Sequence, residues 1–305
     1  MRSYSAEPVS DQPCSLSESP CWDDAAQLVR WVDIIEGRVF AARSSSSGLD
    51  VVDVLEVPGG GPVGCVVPTA DSGLLLAVGG RLETWLDGRR VASLDLVPPH
   101  DRARLNDGRC DPQGRFLVGS MALDGRRGTD RLYRLEPDGR VTVLLDGLSL
   151  SNGLAWSPDG RTLFHADSLD GVVRAFDYPA DGPLGPPREV VGAGPGLPDG
   201  LCVDVEGDIW LARWGAGVVH RHAPTGELTA RVDVHVPQPA GVAFVGPARD
   251  LLLITSGREH LSPAELARFP LLGRVFGCDV GVAGLPVSAW AGSAAHPPWS
   301  GSSPR

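Results

Sequence analysis

The sequence predicts an all-β protein, a six-bladed β-propeller, and three observations lead there. One strand-and-turn pattern recurs six times, its copies are a blade's length apart, and the composition favours tight turns over helices. The strongest copy spans 197–217 and opens Leu197-Pro-Asp-Gly-Leu-Cys-Val-Asp-Val-Glu-Gly-Asp. Its residues Asp208 to Ala212 alternate and are rich in β-formers, as a half-buried strand is. Gly207 before them is suited to a turn needing positive φ. The same order returns from Ser151 to Phe164 and from Leu105 to Val118, and more weakly at Ser17–Asp23, Val63–Pro68 and Ala240–Val245.

Aligning the six copies puts Glu18, Val63, Asn106, Asn152, Asp199 and Ala240 in one column, at intervals of 45, 43, 46, 47 and 41 residues. Five residues on, Asp23, Pro68, Asp111, Ser157, Asp204 and Val245 support the register. Six such units of several short strands are the signature of a six-bladed propeller. Equivalent positions of a propeller surround one axis, so the polar members of the column become a single constellation at one end of the central channel.

Taken in order, residues 1–13 are a polar arm expected to lie across the surface or close the ring. Residues 14–292 form the single propeller domain, and the Pro/Ser-rich stretch 293–305 is expected to be a disordered tail. In the first unit Trp22–Asp33 gives a turn and strand, Gly37–Ala41 a further strand, and Ser44–Gly48 a flexible hairpin loop. The second holds strands at Gly73–Val78 and Arg81–Trp85 but no acid in its column position. The third and fourth turn at Pro137-Asp-Gly139 and Pro158-Asp-Gly160. The sixth contains the strand Leu251–Ser256, then a short helix capped by Ser262 with Pro263 in its first position. Gly 39 and Pro 27, about a fifth of the 305 residues, suit this many turns.

Composition excludes some functions. A formal charge of −11 argues against nucleic acid, which calls for clustered Lys and Arg. With no signal-peptide core and no apolar run of membrane-spanning length, the expectation is a cytoplasmic protein with no membrane partner. The oligomeric state is open. The six cysteines lack C-x-x-C spacing, and Cys21, Cys65, Cys110 and Cys202 fall in the presumed inner strands, so buried free thiols are expected.

Glu18, Asn152 and Asp199 supply two carboxylates and an amide oxygen. This hard-oxygen set suits one divalent cation, Ca²⁺ before Mg²⁺ or Mn²⁺, with Zn²⁺ also able to use it. The competing reading, that they only cap inner strands, is weakened by Val63 and Ala240, which show that the fold does not require oxygen there. Arg104 lies two residues before the column and can reach the same mouth, where its forked donors would orient a polyhydroxylated or anionic substrate. Its alternative is a surface ion pair with Asp101 or Asp107, and Asp124 carries the same ambiguity. His220 and His222 share one face of a strand beside the hairpin Ala223–Gly226 and are expected to meet solvent. There is no G-x-S-x-G elbow and no P-loop.

The segments L-S-E-S-P-C-W-D (16–23), R-L-N-D-G-R-C-D-P-Q-G-R (104–115), S-N-G-L-A-W-S-P-D-G (151–160) and the copy from Pro198 to Ala212 resemble the regucalcin, gluconolactonase and luciferin-regenerating-enzyme family from about 15 to 292. The resemblance implies a six-bladed propeller with one divalent ion at its axis and, in many members, hydrolysis of sugar lactones. It further implies Glu18, Asn152 and Asp199 as metal ligands, Arg104, Asn106 and Asp124 as substrate contacts, and Asp199 as the catalytic acid/base. Two departures bear on the substrate: S-E-S-P replaces the usual G-E-G-P around Glu18, and Asp124 stands where sugar-lactone members often have Glu. The expected activity is therefore a metal-dependent lactonase. In it the carbonyl is polarised by the ion and Asp199 assists water attack. The alternatives are a non-catalytic metal-binding propeller and a propeller enzyme acting on a non-sugar lactone or other secondary metabolite; relatives of strictosidine synthase would not need Glu18, Asn152 and Asp199 together.

Overall fold

A computed structural model describes residues 1–45, 48–59 and 61–299 of the chain. Its strands form six sheets, and the fold is a six-bladed β-propeller. The innermost strands are Ser17–Asp23, Val63–Pro68, Ala103–Cys110, Ser151–Trp156, Leu197–Val203 and Pro239–Val245. Each packs against the next, and the last against the first, which closes the ring. Every blade then runs outward by antiparallel pairing, as in blade one from Leu28–Asp33 through Arg38–Ser45 to Gly48–Glu56. Burial follows that order: Ser17–Asp23 is wholly buried, while Gly48–Glu56 is mostly exposed. The expected loop Ser44–Gly48 falls partly outside the described residues, at Ser46 and Ser47.

The apolar core lies between blades. Within blade one Trp31 stacks on Phe40 with centroids 4.9 Å apart. Trp210 of blade five meets Phe244 of blade six edge-on at 6.0 Å, an arrangement favoured by the ring quadrupoles. All six cysteines are free and buried, as expected, and burial pushes the Cys21 and Cys202 thiols up to about 12.

The acids five residues past the aligned column hold turns. Asp204 accepts from the backbone N–H groups of Glu206 and Asp208, from Trp210 Nε1 at 2.8 Å and from Arg221 Nε at 2.9 Å. Asp111 similarly accepts from Gln113 and Arg115 backbone N–H and from the Tyr178 hydroxyl. A buried carboxylate with this many donors is satisfied, so this second column is structural. Gly207 takes φ 91° in its turn, as the pattern required.

The arm at the start of the chain adds strands to two blades. Arg2–Ser5 adds a parallel strand to Leu228–Asp233 of blade five, and Glu7–Pro8 becomes the outermost strand of blade six beside Phe276–Asp279. The predicted helix is present at Pro263–Arg268 with a reciprocal capping box between Ser262 and Glu265. Among the described residues no helix is long and apolar enough to cross a membrane.

Two expectations are corrected. Residues 293–299 are not a disordered tail: Asp71 accepts from the Ser293 hydroxyl and from the Ala294 and Ala295 N–H groups, and Trp299 is buried against Trp290. Polar composition concealed an anchoring tryptophan; 300–305 lie outside the described residues. His220 and His222 are buried and not solvated. Their register partners are Leu211 and Ile209, so alternation puts both rings on the core face although the adjoining turn is exposed. Burial, reinforced by His222, Arg213 and Arg231, lowers His220 to about 4.

Candidate active site

All six inner strands break their ladder at the same height. The register shifts between Glu18 and Cys21, Val63 and Cys65, Leu105 and Gly108, Ser151 and Leu154, Pro198 and Leu201, and Pro239 and Val242. A bulge leaves a residue unpaired and re-aims its side chain. The aligned column sits at or beside each break, so the fold turns Glu18, Asn106, Asn152 and Asp199 into one cavity.

The residue after the column explains how tightly the ring closes there. A Cβ on Gly153 would stand 2.5 Å from Asp199 O, and one on Gly200 2.7 Å from the Gly241 Cα, closer than real Cβ atoms come. In blade one this position is Ser19, at φ 51°. Its N–H donates to Glu18 Oε2 at 3.1 Å and its hydroxyl accepts from Val66 N–H at 3.2 Å.

The cavity measures about 280 Å³ and is lined by Glu18, Arg104, Asn106, Asn152, Ser168 and Asp199, with Leu16, Ile34, Met121, Leu150, Leu169, Leu197 and Trp214 around them. Arg104 is buried and donates from Nη1 to Leu105 O at 2.9 Å and to Asn106 Oδ1 at 2.8 Å. Asn106 Nδ2 in turn donates to Ser151 O at 3.0 Å, so both ends of that amide are engaged. Asn152 Nδ2 donates to Ser168 Oγ at 3.2 Å. Asn152 Oδ1 and Asp199 Oδ1 are both buried without a hydrogen-bond partner.

Charge is equally unbalanced. Burial, then the charges of Asp199 and Asp107, raises the Glu18 carboxyl well above the usual range. Burial and then Asp107 do the same to Asp199. Asp107 is itself raised by burial, with Arg109 and the Gly108 N–H pulling the other way. Three buried acids thus crowd one end of the channel beside a single buried guanidinium. Unpaired buried oxygens cost about 1–3 kcal/mol each. Two orphaned oxygens, one amide and one carboxylate, beside the Glu18 carboxylate are what a hard cation would satisfy, so the residues present fit one. The set contains an amide, and among the described residues there is no cluster of three His, Cys, Asp or Glu side chains placed to hold a metal.

Of the predicted site residues, Glu18, Arg104, Asn106, Asn152 and Asp199 come together; Asp124 does not. It follows the strand Phe116–Ala122, lies outside the cavity lining, and accepts from Arg126 Nε at 2.8 Å, because its own turn supplies a guanidinium two residues away. Met121 of that strand faces the cavity instead. Arg104 pairs with neither Asp101 nor Asp107. The sequence reading missed Asp107, Ser168, Trp214, Glu259 and His260. Asp107 had a signal, as a polar residue where most copies have Gly; Trp214 ends the strand Ile209–Trp214, and Ser168, Glu259 and His260 reach the cavity from connections between strands.

The fold and this cavity define a six-bladed propeller with an acid-rich cavity at one mouth of its axial channel. Residues 16–258 match the SMP-30/Gluconolactonase/LRE-like region, and the chain belongs to that family. It is similar to regucalcin of Danio rerio, 33% identical over 96% of this chain and 100% of that one. It is also similar to 6-deoxy-6-sulfogluconolactonase of Pseudomonas putida, 34% identical over 92% of this chain and 97% of that one. Among solved structures, a regucalcin from Agrobacterium tumefaciens, described as a calcium-binding protein, superposes with a TM-score of 0.87 at 28% identity, covering 95% of this chain and 98% of its own.

Proposed function

We propose that this protein hydrolyses a sugar-type lactone to the hydroxy acid, using one divalent cation held by Glu18, Asn152 and Asp199. The observation that carries the reading is the pair of orphaned oxygens, Asn152 Oδ1 and Asp199 Oδ1, buried beside Glu18. Membership of a family that includes a sulfogluconolactonase supports the lactone, and a relative described as calcium-binding supports Ca²⁺ over Zn²⁺, Mg²⁺ or Mn²⁺.

A bound cation would supply positive charge for polarising the lactone carbonyl and stabilising the oxyanion. The chain's residues do the rest. Asp199 accepts a proton from the water whose oxygen bonds to the carbonyl carbon, and returns it to the ring oxygen as the acyl C–O bond breaks. Arg104, fixed through Asn106, offers its remaining N–H groups to substrate hydroxyls or an anionic substituent. Asp124 would join them only by leaving Arg126. The apolar wall of Leu16, Ile34, Met121, Leu150, Leu169 and Leu197 favours a second reading, a lactone bearing an apolar substituent.

A panel of sugar and alkyl lactones assayed after chelation, with Ca²⁺, Mg²⁺, Mn²⁺ or Zn²⁺ restored singly, tests both. Turnover that requires the restored ion is expected; full turnover by the chelated protein, or none with any ion, would overturn the proposal.

A further inference from the structure

A second cavity of about 300 Å³ occupies the opposite end of the channel, and nothing in the proposed lactonase chemistry uses it. Four consecutive inner strands wall it through Arg109, Trp156, Val203 and Phe244, three to four residues beyond the aligned column. At about 3.3 Å per residue that is roughly 10–13 Å further along the axis. Its floor is Leu285–Ser288, part of a strap pinned at both ends. On one side Val205 N–H donates to Ala283 O at 2.9 Å; on the other Trp290 N–H donates to Pro68 O at 2.9 Å and Ala291 N–H to Gly114 O at 2.8 Å. The strap turns an open mouth into a pocket.

The pocket's chemistry is one cation in an apolar shell. No carboxylate bonds the half-buried Arg109 guanidinium among the described residues; its one hydrogen bond is a long one, from Nη2 to Val242 O at 3.4 Å. The acid that feels it most, Asp107, lies back along the same strand toward the other mouth. Trp156, Phe244, Pro158, Pro286 and Val287 line the pocket with Arg109. Sites of this size, mostly apolar with one placed charge, are those that orient a small molecule by its charged end.

We propose that this far-end pocket binds a small organic carboxylate with an apolar or aromatic body. The carboxylate meets Arg109 and the body lies between the Trp156–Phe244 wall and the Pro286–Val287 strap. The test titrates the full chain calorimetrically with benzoate at constant ionic strength. Benzyl alcohol supplies the same ring without charge, and inorganic phosphate supplies charge without the ring. Benzoate should bind one per chain, with affinity unchanged by chelation or added Ca²⁺ because the acid-rich mouth is not involved. Arg109→Met should weaken it about tenfold or more, the size of one lost charge-assisted contact, and benzyl alcohol should bind as weakly to wild type as benzoate does to the variant. Val287→Trp, which fills the pocket from the strap without touching a blade, should abolish binding and keeps the test alive if Arg109→Met does not fold. No benzoate binding, binding lost on chelation, binding unaffected in Val287→Trp, or phosphate binding as tightly as benzoate would each overturn the proposal.

Discussion

Replacing Asp199 by Asn separates its two proposed roles. Asp199 Oδ1 is buried and has no partner, so an amide oxygen in the same place remains available to a cation. What the amide cannot do is accept a proton from water. General-base assistance is worth about 10²–10⁴-fold, so with metal saturating kcat should fall at least a hundredfold, about 2.7 kcal/mol of barrier. The same change removes a carboxylate whose proton affinity burial and Asp107 have raised, so the metal-free variant should melt no lower than the metal-free wild type. Asn152→Asp is the comparison: the Ser168 hydroxyl that now accepts from Asn152 can donate to a carboxylate, and Asp199 remains as base. There Asp199 exchanges its hydrogen bond from Asn152 for a neighbouring negative charge that a bound cation offsets. That variant should hold the ion at least as well while changing rate less. The assay is single-turnover lactone hydrolysis with metal content measured on the same samples. Metal-replete Asp199→Asn turning over near the wild-type rate would refute the proton-transfer role and leave Asp199 a ligand only.

Other outcomes follow from the same geometry. Adding Ca²⁺ to chelated protein should raise its melting temperature, since a ligand at a thousandfold its Kd stabilises by about 4 kcal/mol; an unchanged melt would deny the site. Arg104→Ala should raise KM for a polyhydroxylated or anionic lactone and leave metal content unchanged, because a guanidinium cannot ligate a cation. Gly153→Ala must push the backbone of Leu197–Val203 away at Asp199 O, and should cost about 1–3 kcal/mol of stability together with most activity. His165 is fully buried with its imidazole lowered from 6.5 to about 3 by burial, so the unfolded chain takes up its proton first and the stabilisation is lost as pH falls below 6.5. By pH 5.5 the loss is about 1.4 kcal/mol, and His165→Gln should remove about that much of the fall in unfolding free energy between pH 7 and 5.5, measured by denaturant titration.

The sequence determined the propeller and most of the polar residues that line its acid-rich cavity because repetition carries both. Once the six copies are aligned, equivalent positions must surround one axis, and Glu18, Asn106, Asn152 and Asp199 fall together without any contact being known. The acids five residues on belonged to the same pattern, yet only their hydrogen bonds showed that Asp111 and Asp204 hold turns. The tertiary structure also decided what repetition cannot encode. Bulges at one height in all six inner strands aim the column into the channel, and a ladder's breaks depend on the partner strand. Ser168 and Trp214 reach the cavity from other strands' ends, Asp124 is drawn aside by Arg126, and His220 and His222 are set on the core face by their register with Leu211 and Ile209. The strap from Ala283 to Ala291 carries no repeat at all. Its course is set by Trp290 and Trp299 seating on blades packed far away in sequence, and that course makes a second pocket where the pattern alone shows the open end of a channel.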